Sequence, residues 1–152
     1  MRLEQVRPIY IPPIMPAMRA TLSANQSIPT GEYTRVDLDG QDYDTTTAFD
    51  GGTHKWTCSE AGKYLISINV GLESLPNGCT ASIFCWLNGN FSSPLTRYPI
   101  GDAADAYLSS SDILSLVPTD YLELGVYHNA GGNRNVLGGL DYTTWMSIHR
   151  LS

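Results

Sequence analysis

Four aspartates at nearly alternating positions form the most chemically suggestive run in the sequence. They lie in the segment Asp37-x-Asp39-Gly40-x-Asp42-x-Asp44. Carboxylates spaced this way on a loop can wrap Ca²⁺, a hard cation that takes about six to eight oxygen ligands. The glycine comes too early for an EF-hand loop, however, and no glutamate follows at the closing position. We therefore expect a solvated acidic turn and no metal, with a calcium site as the alternative.

The other residue types that could do chemistry do not form a catalytic pattern. His54, His128 and His149 are too far apart for a zinc-binding pair on one helix, and each is interpreted as a surface or hydrogen-bonded residue. Asp102 and Asp105 could in principle serve a glycosidase, but such an enzyme needs a cleft between its two carboxylates that the sequence does not indicate. There is no Gly-x-Ser-x-Gly elbow and no phosphate-binding loop. We expect no enzyme and no cofactor.

The three cysteines, Cys58, Cys79 and Cys85, show no Cys-x-x-Cys spacing. A zinc site requires thiolates in closely spaced pairs, so none is predicted. Cys85 lies in an apolar run and is interpreted as a buried thiol. Three free thiols are favoured, while a Cys58–Cys79 or a Cys79–Cys85 bridge stays open.

The charge of the chain argues against two classes of partner. The net charge is −6, and the nine lysines and arginines are scattered without a basic run, which disfavours nucleic-acid binding. No apolar stretch approaches the length needed to span a bilayer, and no secretion signal is recognisable, so we expect a soluble product of the cytosol with no membrane partner.

The elements that must position these residues are short β-strands separated by Gly, Pro, Asn and Asp. Between residues 63 and 70, Tyr64, Ile66, Ile68 and Val70 alternate with polar residues, which is the pattern of a half-buried strand. Asn88-Gly89-Asn90 predicts a hairpin turn. Further strands are predicted over 18–24, 33–38, 80–87, 106–117, 121–128 and 143–151. The sequence thus predicts an all-β sandwich or jelly roll without a helical segment.

Residues 1–17 form a separate, proline-rich arm ahead of the domain at 18–152. Four prolines between positions 7 and 16 exclude a helix or a central strand and predict an extended, polyproline-like segment. Its large apolar side chains are expected to lie on a protein surface, either that of its own domain or that of a neighbouring subunit or larger assembly. The candidate docking residues are Arg7, Ile9, Tyr10, Ile11, Ile14 and Met15.

The order of short motifs along the chain resembles the C1q/TNF-like jelly roll. These motifs are Ala48-Phe49-Asp50, Trp56-Thr57-Cys58, Ala61-Gly62-Lys63-Tyr64, the strand at 121–127, the glycine-rich loop at 131–139 and a terminal strand with Trp145. The stretch from Arg19 to Pro29 is similar to the opening of C1q-like domains in bacteriophage structural proteins. No collagen repeat precedes the domain, which together with the missing secretion signal suits a virion protein better than an animal ligand.

The resemblance implies a homotrimer with aromatic residues of the inner sheets near the three-fold axis. The strands at 64–70, 121–128 and 143–151 are expected to supply the inner sheet, and Tyr127 and Trp145 are the candidate axis contacts. For each of the two, an ordinary core or surface aromatic is the slightly favoured alternative.

The implied function is that of a virion structural protein, a trimeric capsid decoration (cement) protein of a tailed phage. Its arm would dock on the major capsid protein at the capsid surface, after assembly in the host cytoplasm. The alternative is a receptor-binding head of a tail fibre or spike that recognises a cell-surface glycan or protein through loops 88–102 and 129–142. An enzyme such as a glycan depolymerase is the least favoured hypothesis.

Overall fold

A computed structural model describes residues 9–152 of the chain, and this part consists of strands and connecting loops with no helix. The thirteen strands are β1 (Ala17–Thr21), β2 (Gln26–Ile28), β3 (Thr34–Arg35), β4 (Gly40–Asp44), β5 (Phe49–Asp50), β6 (Lys55–Thr57), β7 (Gly62–Leu75), β8 (Thr80–Leu87), β9 (Asn90–Pro99), β10 (Ala104–Leu116), β11 (Tyr121–His128), β12 (Arg134–Val136) and β13 (Trp145–Arg150).

The strands form two antiparallel sheets that pack face to face. In the first sheet, the long strand β7 pairs with β10, with β13 and with the short β12; β13 continues to β1 and β4, and β12 to β2. In the second sheet, β11 pairs with β8, β6 and β3; β8 continues to β9, and β6 to β5. This is the two-layer antiparallel sandwich that the sequence predicted.

The core lies between the sheets and follows from the alternation read in the sequence. Tyr64, Ile66, Ile68 and Val70 of β7 are fully buried, as predicted. Leu122, Leu124 and Val126 of β11 face them from the second sheet together with Ile83 of β8 and are equally buried. Each such side chain contributes about 1.5–3 kcal/mol when it leaves water. All three cysteines are buried free thiols, and burial raises the pKa of the Cys85 thiol to about 12.

The predicted hairpin at Asn88-Gly89 is confirmed. Leu87 of β8 pairs with Asn90 of β9, which leaves a two-residue turn. Both turn residues have positive φ, 52° at Asn88 and 80° at Gly89. This is the type I′ geometry that twists with the strands it joins, and asparagine and glycine tolerate it best.

Three expectations about individual segments are wrong. The strand at 121–128 does not join 64–70 and 143–151, because β11 is central to the second sheet while β7 and β13 are neighbours in the first. The predicted binding loop at 88–102 is mostly the ten-residue strand β9. The acidic turn at 37–44 ends in strand β4, which pairs with β1 through Tyr43 and Gln41.

Candidate interaction surfaces

The aspartates of the acidic run do not converge on a common point. Asp42 forms an ion pair with Arg19 at 2.7 Å, and Asp37 forms one with Arg35 at 2.8 Å. Asp44 accepts the amide of Phe49 at 2.7 Å and so ties down the chain after β4. Among residues 9–152, no group of three or more His, Cys, Asp or Glu residues could hold a metal ion. The carboxylates therefore act as local ties between strands.

Asp39 shows how strongly one of these carboxylates is held by the protein. Its two oxygens accept hydrogen bonds from the amide and the hydroxyl of Ser23, at 2.8 and 2.5 Å. Partial burial raises the pKa of Asp39, but these hydrogen bonds outweigh it and hold the pKa below its usual value. The carboxylate of Asp39 thus stays ionised and ties Ser23 to the segment that leads into β4.

The remaining polar candidates also serve the fold. His54 contacts the carbonyl of Leu38 through Nδ1 at 2.8 Å. His128 is fully buried, where its Nδ1 accepts the amide of Ala130 and its Nε2 lies 3.4 Å from the carbonyl of Ile28. Asp105 accepts the amide of Ser74 and so ties the start of β10 to the end of β7. None of the three is arranged as a general acid or base toward a cleft.

The outward side of the first sheet is a flat surface dominated by serine, here named the serine face. Ser109, Asn69 and Trp145 are in register across β10, β7 and β13, and the row below consists of Ser111, Ser67 and Ser147. The serine face comprises Leu65, Ser67, Asn69, Gly71, Tyr107, Ser109, Ser111, Ile113, Trp145, Ser147 and His149. Its border carries charge, since Arg19 of β1 and Lys63 of β7 lie on the same outward side.

The serine face is ordered by its own hydrogen bonds. The Ser109 hydroxyl donates to Asn69 at 2.7 Å, and the Asn69 amide donates to the carbonyl of Thr143 at 2.7 Å. The guanidinium of Arg19 lies 5.0 Å from the centre of the Trp145 ring, a cation–π contact that holds the indole in place. A shallow depression of about 340 Å³ lies between Trp145 and the serines of β7 and β10. The face is thus preorganised and small in relief, and the charge nearest to Trp145 is the Arg19 guanidinium, which is paired with Asp42.

The outward side of the second sheet has the opposite character and is named the aromatic face. It comprises Tyr33, Phe84, Trp86, Phe91 and Tyr127. Tyr33 stacks on Tyr127 with ring centres 4.8 Å apart and meets Phe91 edge to face at 4.9 Å. These are favoured geometries for aromatic pairs. Phe84 is only 1% exposed although it points away from the core, because the other rings cover it.

A glycine makes this arrangement of rings possible. Gly125 of β11 lies directly opposite Phe84 of β8. A Cβ at Gly125 would overlap the Phe84 ring, so the ring can lie on the backbone of β11 only because the side chain is missing there. The Phe84 ring in turn shields the backbone of β11 at Gly125 from solvent, which the missing side chain of glycine would otherwise leave exposed.

The described part of the arm does not pack on its own domain. Ile9 is 88% exposed and Ile14 69%, and Tyr10 and Ile11 are similarly open to solvent. The arm is attached only where it enters β1, where the Thr45 hydroxyl donates to the carbonyl of Met15 and the amide of Arg150 donates to that of Pro16. Of the candidate docking residues, Arg7 lies outside the described residues.

The two candidate axis residues lie on different layers of the sandwich. Trp145 belongs to the serine face and Tyr127 to the aromatic face, so one flat surface cannot contain both. The sequence reasoning did not single out Ser67, Ser109, Ser111 and Ser147, which surround Trp145. Uncharged small residues at alternate strand positions were the signal that could have identified them.

Comparisons with known proteins identify the architecture. No protein-family model matches the chain, and no curated protein matches it. Among solved structures, the globular domain of zebrafish complement 1qA protein has a TM-score of 0.67 at 13% identity, covering 90% of this chain and 98% of that one. The fold is a C1q/TNF-like jelly roll. Two further structures share this fold. The Eiger TNF from S. frugiperda has a TM-score of 0.67 at 14% identity, covering 91% of this chain and 93% of that one. Murine APRIL at pH 5.0 has a TM-score of 0.67 at 11% identity, covering 91% of this chain and 100% of that one.

Identities this low show the shared fold and nothing finer. The C1q/TNF-like jelly roll expected from the motif order is confirmed. In the described residues there is no helix long and apolar enough to cross a membrane.

Proposed function

We propose that the protein is a non-enzymatic homotrimeric module, held together through the serine face and attached by its N-terminal arm to a larger protein assembly. The assembly we favour is the capsid of a tailed phage, with the protein as a decoration protein on the major capsid protein. The observation that supports this proposal most is the serine face, since it has the properties of a subunit interface.

Three properties of the serine face favour contact with another subunit. Charged side chains are depleted at the centre of protein interfaces. The rows centred on Asn69 and Ser67 have none, and the charges of Arg19 and Lys63 lie at the border of the face. Trp145 provides an aromatic anchor at the edge of a depression. The serines are short enough for a second backbone to approach closely, while Tyr107 and Ile113 expose about half of their apolar surface at one border.

A three-fold ring requires that two different surfaces meet, since only a two-fold contact uses one surface twice. The edge formed by β9 and β10 offers the second surface. Tyr98 is exposed there beside a cavity of about 240 Å³ that Pro99 and Ile100 also line. We infer that this edge of one copy packs on the serine face of the next, which closes after three copies as the C1q/TNF-like resemblance implies.

The exposure of the arm favours a second attachment. Ile9, Tyr10, Ile11 and Ile14 have no partner surface within residues 9–152 of one chain. A polyproline-like segment loses little entropy on binding, so it is suited to bind to a groove on another protein. Three arms on one trimer would act together and raise the overall affinity well above that of a single arm.

The phage capsid as the assembly rests on the similarity of residues 19–29 to C1q-like domains of phage structural proteins. A location on the virion surface, after assembly in the host cytoplasm, belongs to the same proposal. The alternative, a receptor-binding head, predicts few copies per particle on the tail. Quantitative mass spectrometry of purified virions distinguishes the two, because a decoration protein is present at a copy number that matches the capsid three-fold positions.

The first experiment is light scattering on the full chain and on a variant without residues 1–14, which keeps the attachment points at Met15 and Pro16. We expect a trimer in both cases. A monomer in both contradicts the trimer. Loss of the trimer only on truncation means that the arm binds a second copy, and docking on a capsid then loses its support.

Two matched variants test which face forms the trimer. Trp145→Ser removes the anchor of the serine face and is expected to weaken the trimer by at least about thirtyfold, the effect of an interface hot spot of about 2 kcal/mol. Tyr127→Ser removes an aromatic ring from the other face and is expected to leave the mass unchanged. The reverse result moves the interface to the aromatic face.

A further inference from the structure

An open pocket lies in the aromatic face, away from both the serine face and the arm. Its volume is about 260 Å³, just below the lower limit of roughly 300 Å³ for the sites of drug-sized ligands. A ligand of one ring fits this size. The lining residues are Tyr33, Ser82, Phe84, Phe91, Leu95 and Arg97.

Aromatic rings form the floor and two walls of the pocket. Phe84 is the floor, with Tyr33 and Phe91 meeting above it at an interplanar angle of 75°. Tyr33 and Phe91 are both 56% exposed, so both side chains are accessible to a ligand from the solvent. Exposed rings in a shallow site favour a ligand that is apolar on one side and hydrated on the other.

Polar groups occupy one end of the pocket. Arg97 is the only charged lining residue, and it forms no ion pair with any acid among residues 9–152. The pocket is therefore locally positive in a protein whose net charge is −6. The Ser82 hydroxyl lies opposite Arg97 on β8 and also lines the pocket. This end of the pocket is complementary to a carboxylate, which a guanidinium binds through two parallel hydrogen bonds.

We propose that the pocket binds a pyranose sugar that carries a carboxylate. The C–H face of the sugar ring packs against Phe91 and Tyr33, because polarised C–H groups are attracted to the negative face of an aromatic ring. The carboxylate binds Arg97, and the hydroxyl groups on the far side stay in water. All lining residues belong to one copy of the chain, so the site does not depend on the proposed trimer.

The test is an NMR titration of ¹⁵N-labelled protein with D-glucuronate, with D-glucose as the neutral match and acetate as the match for charge alone. We expect glucuronate to shift the backbone amide signals of Phe84, Leu95 and Arg97. Because of its charge-assisted hydrogen bonds, it is expected to bind roughly tenfold more tightly than glucose. Acetate is expected to shift none of these signals. Equal binding of glucose overturns the role of Arg97. Absence of shifts at glucuronate concentrations well above the millimolar range overturns the proposal.

Three surface variants assign the interaction. Arg97→Gln is expected to abolish the preference for glucuronate over glucose, and Phe91→Ser to abolish binding of both. Tyr142→Ser removes an exposed aromatic side chain outside the pocket and is expected to change neither. Unchanged binding by Phe91→Ser contradicts the site.

One competing occupant is part of the same experiment. Aromatic grooves also bind proline-rich segments, and the N-terminal arm of a second copy is a proline-rich segment. A synthetic peptide of residues 8–16 is therefore titrated in parallel. Shifts of the pocket amides by this peptide without shifts by glucuronate would replace the sugar with the arm as the ligand.

Discussion

The two outward faces of the sandwich differ in how far their own side chains shield the sheet from solvent. Both belong to sheets whose other side is buried in one core, but they differ in charge. The aromatic face carries Arg97 and the Arg35–Glu123 ion pair, whereas the serine face has charged side chains only at its border. The aromatic face covers itself, since Phe84 is almost completely shielded by neighbouring rings. The middle row of the serine face has only short side chains, which leave the sheet beneath them unshielded. A face that is covered by its own side chains can remain at the surface, whereas a bare face without charge at its centre is suited to a second subunit.

The largest expected effect comes from a charge at the centre of the serine face. Ser67→Asp places a carboxylate between Ser111 and Ser147. An unpaired charge that is buried on association costs about 3 kcal/mol, so the trimer is expected to weaken by more than about a hundredfold. Analytical ultracentrifugation measures the change.

The control places the same charge on the other face. Tyr33→Asp also introduces a carboxylate at an exposed position, and it is expected to leave the trimer intact. If both variants dissociate the trimer equally, the difference between the faces has no bearing on assembly.

The second prediction concerns the stability of the aromatic face. Gly125→Ala forces the Phe84 ring off the backbone of β11 and is expected to lower the free energy of unfolding by about 2 kcal/mol, in the range for overpacking. Gly101→Ala is the control, because nothing lies near its Cβ position. Urea denaturation measures both.

A double variant separates this cause from an intrinsic preference for glycine in β11. Phe84→Leu combined with Gly125→Ala removes the overlapping ring, so the alanine is expected to cost less in that background than in the wild type. An equal cost in both backgrounds would show that Phe84 is not the reason for the glycine.

The smallest effect concerns the histidine at the end of β11, which turns inward from the second sheet. Burial lowers the pKa of His128. The unfolded chain therefore binds more protons than the folded one once the pH falls below about 6.5, the ordinary value for histidine. Stability is complete above that pH and is expected to decline as the pH falls through it.

Thermal unfolding of the wild type and of His128→Gln between neutral and mildly acidic pH measures this effect. The variant is expected to show a flatter dependence on pH than the wild type. A wild-type curve that is no steeper than that of His128→Gln would mean that other groups govern the response to acid.

The strands that the sequence predicted and those it missed differ in their length and in their position in the sheets. Residues 80–87 and 121–128 were predicted with their correct bounds, and both strands are interior, with apolar alternation imposed by the core. Of the strands that were missed, the longer ones, β4 and β9, lie at the edges of their sheets, and the others, β2, β5, β6 and β12, have only two or three residues. An edge strand pairs on one side only and tolerates Pro94 and polar residues, so it lacks the pattern that identifies a strand.

The candidate surfaces were predictable only in part. The arm was predicted from its prolines and apolar side chains. In the structure Ile9, Tyr10, Ile11 and Ile14 are open to solvent, and their docking on another protein stays a prediction. Trp145 was named as a contact, but the serines around it were not, since serine in isolation indicates no interface. The pocket was not foreseen because its residues come from three separate segments, around Tyr33, Phe84 and Arg97.

The sequence by itself determined that the chain is an all-β sandwich, where its interior strands lie, which side chains form the core and where the Asn88-Gly89 turn falls. Each of these depends on residues close together in the chain. Only the tertiary structure decided that Trp145 and Tyr127 belong to opposite faces, and that the aspartates after Asp37 bind separate partners. The physical reason is that strand pairing joins residues far apart in sequence, and local alternation shows which side of a strand is buried but not which sheet the strand enters.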